Sequence, residues 1–302
     1  MQTAQALSQV WEDPNLRFSE DANGLVTLEI ENALATATLA LQGGHLIHWQ
    51  PRHADQPVLW LSKRARFVHG RSIRGGVPIC WPWFGAHPSD DRLCPHGFAR
   101  VMPWRLLEST VLENGATRLV LQITDTPVAH AQLPHPYELK LTVIVGETLQ
   151  MSLATTNHDT EPFTIGEALH TYFQVSDIEG ISVSGLEGAE YADKVKNFAR
   201  DTEQGPLKFD QEFDRVYLNT QADCTIEDPG FNRRIRVKKS GSLSTVVWTP
   251  WKQKAEDLVD IGQGDDWRHM ICVESANAQD NIVSVAPGTT HVLTVEYSTE
   301  AL

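Results

Sequence analysis

The sequence predicts an all-β protein, a large antiparallel sandwich with few short helices. Three observations predict it. Runs of strand length that alternate apolar and polar residues recur along the 302 residues. Turn residues such as Glu113-Asn-Gly115, Asp228-Pro-Gly230 and Pro287-Gly288 punctuate those runs. No βαβ alternation and no glycine-rich phosphate loop of the G-x-G-x-x-G or Walker type is present, which sets nucleotide-binding α/β folds aside. Large all-β folds reach about 250 residues as one unit, and neither an internal repeat nor a Pro/Ser-rich linker divides the chain. One domain spanning 1–302 is the expectation.

In chain order, Thr3–Trp11 reads as a short amphipathic helix, followed by strands at Val26–Ile30 and Leu34–Leu39. The segment Ile73–Gly85 holds Trp81, Trp83 and Phe84 among Pro78, Pro82 and three glycines. Proline and glycine at that density exclude a helix and suit a central strand poorly, so a structured loop is predicted. Strands resume at Thr117–Thr124, Tyr137–Val145 and Leu149–Thr156, all with β-branched enrichment. Arg234–Lys238 and Leu243–Trp248 continue the pattern, a short helix is expected around Gln253–Leu258, and Val292–Tyr297 forms the last strand.

Composition places the chain among ordinary globular proteins, with 41% hydrophobic and 21% charged residues. The net charge of −14 opposes phosphate backbones and anionic lipid, so nucleic acid and membrane surfaces are not expected partners. Met1–Phe18 shows no basic region followed by an apolar run, and no stretch approaches the roughly 18 apolar residues that span a bilayer. Four widely spaced cysteines, Cys80, Cys94, Cys224 and Cys272, lack a C-x-x-C pattern and read as reduced thiols of a cytoplasmic protein. A monomer or weak homo-oligomer is expected.

One segment departs from the acidic average. Gln56–Ser89 has no acidic residue, and Gln56–Arg105 carries eight basic residues against two acidic, a net +6 inside a remainder of −20. Arginine forks meet phosphate oxygens bidentately, so the segment is a candidate site for a small anion. The competing explanation is a basic loop paired with acidic neighbours elsewhere. The aromatic loop within it could face sugar rings or plug the end of the sandwich.

Arg74–Gly85 (RGGVPICWPWFG), Pro95–Arg100 (PHGFAR), Ala168–Phe173 (ALHTYF), Phe213–Tyr217 (FDRVY), Val247–Trp251 (VWTPW) and Cys272–Ser275 (CVES) together resemble the ordered motifs of hexose-6-phosphate mutarotases. These glucose-6-phosphate 1-epimerases are part of the galactose-mutarotase-like superfamily. The resemblance implies a β-supersandwich and interconversion of the α and β anomers of a hexose 6-phosphate. It implies His170 as general acid and Glu274 as general base. It also implies Asp214 as a ligand of a sugar hydroxyl and Arg74 and Arg100 as phosphate ligands, with His96 beside the substrate. Trp81 is the aromatic candidate for sugar contact.

The residues themselves fit such chemistry. Anomerisation moves a proton off the C1 hydroxyl and another onto the ring oxygen, then reverses both transfers after rotation about C1–C2. One acid and one base suffice, and no cofactor or metal is required. A histidine and a carboxylate suit a reaction that runs both ways, provided no strong buried ion pair locks either. In Glu167–Phe173, alternation sets His170 with Ala168 and Tyr172, opposite Leu169 and Phe173. In Met270–Glu274 it sets Glu274 with Cys272, opposite Ile271 and Val273.

Bland alternatives exist for each: a structural histidine, a surface glutamate, a turn aspartate at 214. His45, His48 and the Cys94-Pro-His96 pair hold metal-ligand types without a metal-site spacing, and no G-x-S-x-G elbow is present. Competing functions are a non-catalytic sugar-phosphate binder, or a carbohydrate hydrolase or lyase with a carboxylate pair.

Overall fold

The computed structural model describes residues 3–124 and 126–302. Two eight-stranded sheets dominate it, joined by a four-stranded sheet near the N-terminus and a two-stranded ladder. The sheet that carries the candidate site has eight strands, numbered here in chain order. They are β1 (Ile79–Cys80), β2 (Glu167–Leu169), β3 (Tyr172–Gln174), β4 (Glu190–Asp193), β5 (Ala199–Thr202), β6 (Phe213–Tyr217), β7 (Ser244–Thr249) and β8 (Met270–Asn277). Their spatial order is β5-β4-β6-β7-β8-β2-β1, with β3 also pairing with β8, and every ladder is antiparallel.

The second sheet contains the strands with the clearest alternation. Tyr137–Val145 and Leu149–Asn157 bury every second side chain, with Leu139, Leu141, Val143 and Val145 facing Leu149, Met151 and Leu153 in the core. Period-two patterning therefore produced the predicted half-buried strands. Helices are short: Ala4–Val10, Pro127–Gln132 and Trp251–Asp257. Two match the expected positions. The third, capped by the Thr126 hydroxyl, was not expected.

One buried apolar cluster runs from Ala4 to Tyr297 and takes side chains from all these sheets. A second, smaller cluster lies on the other face of the site sheet: Cys80, Ala168, Val216, Leu218, Val246, Ala276 and Ala278. The site sheet is thus buried on one face by the core and floored on the other by small apolar side chains, and β8 is buried along its whole length. No helix among the described residues is long and apolar enough to cross a membrane.

The aromatic segment is a loop, apart from the two-residue strand β1. Trp81 corrects the sequence reading. Its side chain is fully buried, its indole N–H donates to Thr155 Oγ1 at 3.0 Å, and it packs against Phe98 and Tyr137 in the main core. A ring enclosed this way cannot stack on a sugar. Trp83 is also buried, its indole N–H fixed on Cys94 O at 3.1 Å. Of the three aromatics, Phe84 is the one that packs on the small cluster across the sheet.

Candidate active site

His170 lies between β2 and β3, where the ladder to β8 runs in unbroken register. Leu169 faces Ser275 and Tyr172 faces Cys272, so His170 stands directly across from Glu274. Strand parity puts both on the face away from the core, as alternation predicted. Their side chains meet: His170 Nε2 lies 3.3 Å from Glu274 Oε1, with 12% and 1% side-chain exposure. The next row across the sheet is Tyr172, Cys272, Trp248 and Asp214. Asp214 is therefore a residue of strand β6 on the site face and no turn residue. The Tyr172 ring stacks on the His170 imidazole at 4.9 Å, and Trp248 abuts both edge-on.

Burial decides the protonation of the pair. It pushes His170 well below the ordinary histidine value, with His96, Arg100 and Arg74 adding to the shift. It pushes Glu274 well above the ordinary carboxylate value; Asp214 adds to that, while Lys194 and Arg100 oppose it. Both groups thus favour their neutral forms. The two side chains touch, and burial disfavours the charged form of each. A neutral imidazole and a protonated carboxyl in contact hold one proton between them, and its transfer gives imidazolium and carboxylate with no change in total charge. The remaining atoms of the pair, His170 Nδ1 and Glu274 Oε2, are buried without hydrogen-bond partners among the described residues.

His96 lies on a tight reversal with φ 66, next to Gly97 at φ +73. A Cβ on Gly97 would fall 2.0 Å from Trp81 O, so this crossing accepts only glycine. The reversal brings the His96 ring to 5.7 Å from that of His170 and 4.8 Å from that of Phe84. His96 Nδ1 accepts the Gly85 N–H at 3.3 Å, and burial together with Arg100 pushes its pKa down to about 3. The ring is neutral with its proton on Nε2, a hydrogen-bond donor.

The basic segment divides in two. Lys63 pairs with Asp266, Arg92 with Asp90 and Arg74 Nε with Asp260 at 3.1 Å, so part of it serves as acid-paired loop. Arg74 also donates from Nη1 to the Tyr172 hydroxyl at 2.9 Å, which fixes it beside the pair. Arg100 makes no ion pair among the described residues and donates one Nη2 bond, at 2.6 Å, to Pro95 O. His45, one of the metal-type residues, is fully buried and bonds Gly75 O at 2.7 Å, so it braces the loop that carries Arg74. His48 approaches Thr36 Oγ1 instead.

Sequence reasoning missed Lys194, whose Nζ lies 2.9 Å from Asp214 Oδ2, and it gave no role to Tyr172 or Trp248. Tyr172 and Trp248 fall within the quoted motifs, and the parity of Tyr172 with His170 was the available signal. Ligand atoms of His170, Cys272 and Glu274 lie within 4.8 Å of one another. A cation at that point would meet the charges of Arg74, Arg100 and Lys194, and burial holds the Cys272 thiol protonated. This electrostatic setting suits proton transfer and bound anions better than a divalent ion.

Comparison with known proteins agrees with this site. Residues 26–298 match the family model described as aldose 1-epimerase. A protein of Escherichia coli K12 named "Putative glucose-6-phosphate 1-epimerase" is 36% identical over 252 residues, covering 83% of each chain. One of the same name from Cenchrus ciliaris is 36% identical over 262 residues, covering 83% of this chain and 78% of the relative. The crystal structure of a "putative mutarotase" from Salmonella typhimurium superposes with a TM-score of 0.89 at 31% identity, covering 97% of this chain and 96% of the other. Galactose-mutarotase-like proteins of lower identity share the fold. The buried His170–Glu274 pair on an antiparallel sheet is thus set in a chain that belongs to the aldose 1-epimerase family, enzymes that interconvert sugar anomers.

Proposed function

We propose that the substrate is a hexose 6-phosphate, glucose 6-phosphate in the first place, and that His170 and Glu274 carry the proton transfers. The contact between His170 Nε2 and Glu274 Oε1 supports this most directly, because it is a buried one-proton pair that leaves a donor, His170 Nδ1–H, and an acceptor, Glu274 Oε2, without partners among the described residues. In ring opening, carboxylate Glu274 takes the C1 hydroxyl proton while imidazolium His170 protonates the ring oxygen. The C1–O5 bond breaks as C1=O1 forms. After rotation about C1–C2, neutral His170 recovers its proton and Glu274 returns one to O1 as C1–O5 re-forms. Each group ends where it began, with no net redox change.

Asp214 and the His96 Nε2–H supply one acceptor and one donor for ring hydroxyls. Arg100, with no carboxylate to satisfy it among the described residues, is the phosphate ligand, assisted by Arg74. The names of the relatives at 36% identity point to the same substrate. A non-catalytic binder would have no use for an acid and a base kept neutral by burial and left short of partners.

The test is re-equilibration of freshly dissolved α-glucose 6-phosphate, followed by a coupled assay that consumes only the β anomer. Acceleration over buffer is expected; a rate equal to buffer overturns the proposal. Arg100→Ala should raise KM for the phosphorylated sugar by about 10- to 100-fold and leave turnover of free glucose unaltered. Equal losses on both would remove Arg100 as phosphate ligand.

A further inference from the structure

The turn between β4 and β5 carries a lysine to which the proton chemistry gives no role. Lys194 opens the 3-10 turn Lys194–Lys196 and reaches Asp214 Oδ2 at 2.9 Å. Its place is fixed from the far face of the sheet. Asp193, 5% exposed, caps the turn by accepting the Val195 N–H at 3.1 Å, and its other oxygen meets Arg215 Nε at 3.3 Å. Arg215 follows Asp214 in β6 and so points to the opposite face. There its guanidinium lies 4.1 Å and 4.4 Å over the rings of Tyr191 and Phe213, and its Nη1 donates to Glu203 Oε2 at 2.8 Å. The Tyr217 hydroxyl donates to the same oxygen. Asn197 and Phe198, at φ 52 and 61, then reverse the chain, and Phe198 N–H closes the turn on Asp193 O at 2.8 Å.

A surface ion pair gains little and needs no such frame. Here the turn that carries Lys194 is set by its cap and by that far-side network, and the consequence falls on Asp214. Lys194 occupies Oδ2, while Oδ1 is buried and has no hydrogen-bond partner among the described residues. A carboxylate clamped on one oxygen and bare on the other offers a ligand one acceptor of fixed direction. We propose that Lys194 is a positioning residue that sets sugar selectivity: by clamping Asp214 Oδ2 it fixes Oδ1 as the acceptor for one ring hydroxyl in one configuration. This rests on Asp214 binding the sugar, as proposed above.

Lys194 also acts on the base. The charged and titratable groups acting on Glu274 are His170 and Tyr172 from the adjoining strands, Cys272 from its own strand, and Cys80 and Tyr297 from neighbouring ones. Asp214, Lys194 and Arg100 complete the set. Lys194 and Arg100 are the cations that oppose protonation of Glu274. Removing Lys194 therefore moves Glu274 further toward its protonated form. Asp214, beside Lys194, Lys254 and Glu212, shifts the same way.

Lys194→Met and Lys194→Arg decide the matter, measured on glucose, mannose and galactose 6-phosphates. Lys194→Met should raise KM for the preferred sugar by about 10- to 100-fold, narrow the kcat/KM ratios among the three sugars, and move the acidic limb of kcat/KM to higher pH. Lys194→Arg should recover most of the loss. In an Asp214→Asn background, Lys194→Met should leave the sugar ratios unchanged, because the carboxylate it clamps is gone.

Unchanged ratios in the single Lys194→Met variant, or the same change with and without Asp214, overturn the proposal. Failure of the parent enzyme to speed anomerisation would instead refute the proposed function. Binding of the three sugar phosphates to parent and Lys194→Met proteins, measured by calorimetry, then still decides on Lys194. Selectivity lost on substitution supports the proposal, and selectivity retained overturns it.

Discussion

Glu274 on β8 and Glu167 on β2 are both buried carboxylates, each against a histidine, and they lie on opposite faces of one sheet. Glu167 Oε1 accepts from His291 Nε2 at 2.7 Å and from Asn277 Nδ2 at 2.9 Å. Its histidine belongs to strand Thr290–Ala301 of the second sheet, so the pair ties the two sheets together. The hydrogen bond to Glu167 raises the pKa of His291, overcoming its partial burial. Each carboxylate leaves one buried oxygen without a hydrogen-bond partner among the described residues, but on its other oxygen Glu274 has the longer contact of 3.3 Å to His170, a histidine pushed down by burial. Converging donors hold the Glu167 charge in place, whereas the Glu274 charge has fewer partners, which is the setting the proposed proton transfers need.

The largest effect should separate the two carboxylates. Glu274→Gln is expected to cut kcat by at least about 100-fold with little loss of stability, since it removes a group that burial already disfavours in charged form. Glu167→Gln should leave kcat within a few-fold and lower stability by about 1–3 kcal/mol, read by urea unfolding. The reverse result would exchange the roles assigned to the two pairs.

The pH dependence of stability sharpens the same contrast, because the two histidines shift in opposite directions. His291, with a raised folded pKa, contributes stability that is complete below about 6.5 and lost as pH rises through its higher folded value. His170, with a depressed folded pKa, contributes stability that is present above about 6.5 and lost as pH falls toward its folded value. Tm measured against pH should therefore flatten on the alkaline side in His291→Gln and on the acidic side in His170→Ala. Identical profiles in both variants would break the comparison.

The sheet parity of His170 and Glu274 was legible. Apolar residues at 169, 173, 271 and 273 left His170 and Glu274 on the other face, and the two strands need only local alternation to show it. Their contact was not legible, because it depends on the register that sets Leu169 against Ser275, which no local pattern fixes. Lys194 escaped notice for a related reason. It lies on a hairpin turn, and its partner is 20 residues on, in a strand reached across the sheet. The basic segment was legible as an excess of charge, but its division into acid-paired and unpaired cations required the fold, since Lys63 meets an aspartate at position 266.

Trp81 gives the smallest and most local test, and it marks where composition misled. A tryptophan between prolines beside arginines has the chemistry of a sugar platform, yet a loop has two sides and composition does not say which one a ring takes. Trp81→Phe keeps an aromatic ring for the edge-on contact with Phe98 at 5.5 Å and removes the indole N–H that reaches Thr155. Thr155 is fully buried, so its hydroxyl loses a donor in a place where solvent cannot replace it. Stability should fall by about 1–2 kcal/mol in urea, with KM for the sugar unchanged. Phe84→Ala should do the opposite, raising KM with little loss of stability, because Phe84 is only partly buried and packs on the site-face cluster beside His96. A KM effect in Trp81→Phe larger than in Phe84→Ala would return Trp81 to the site.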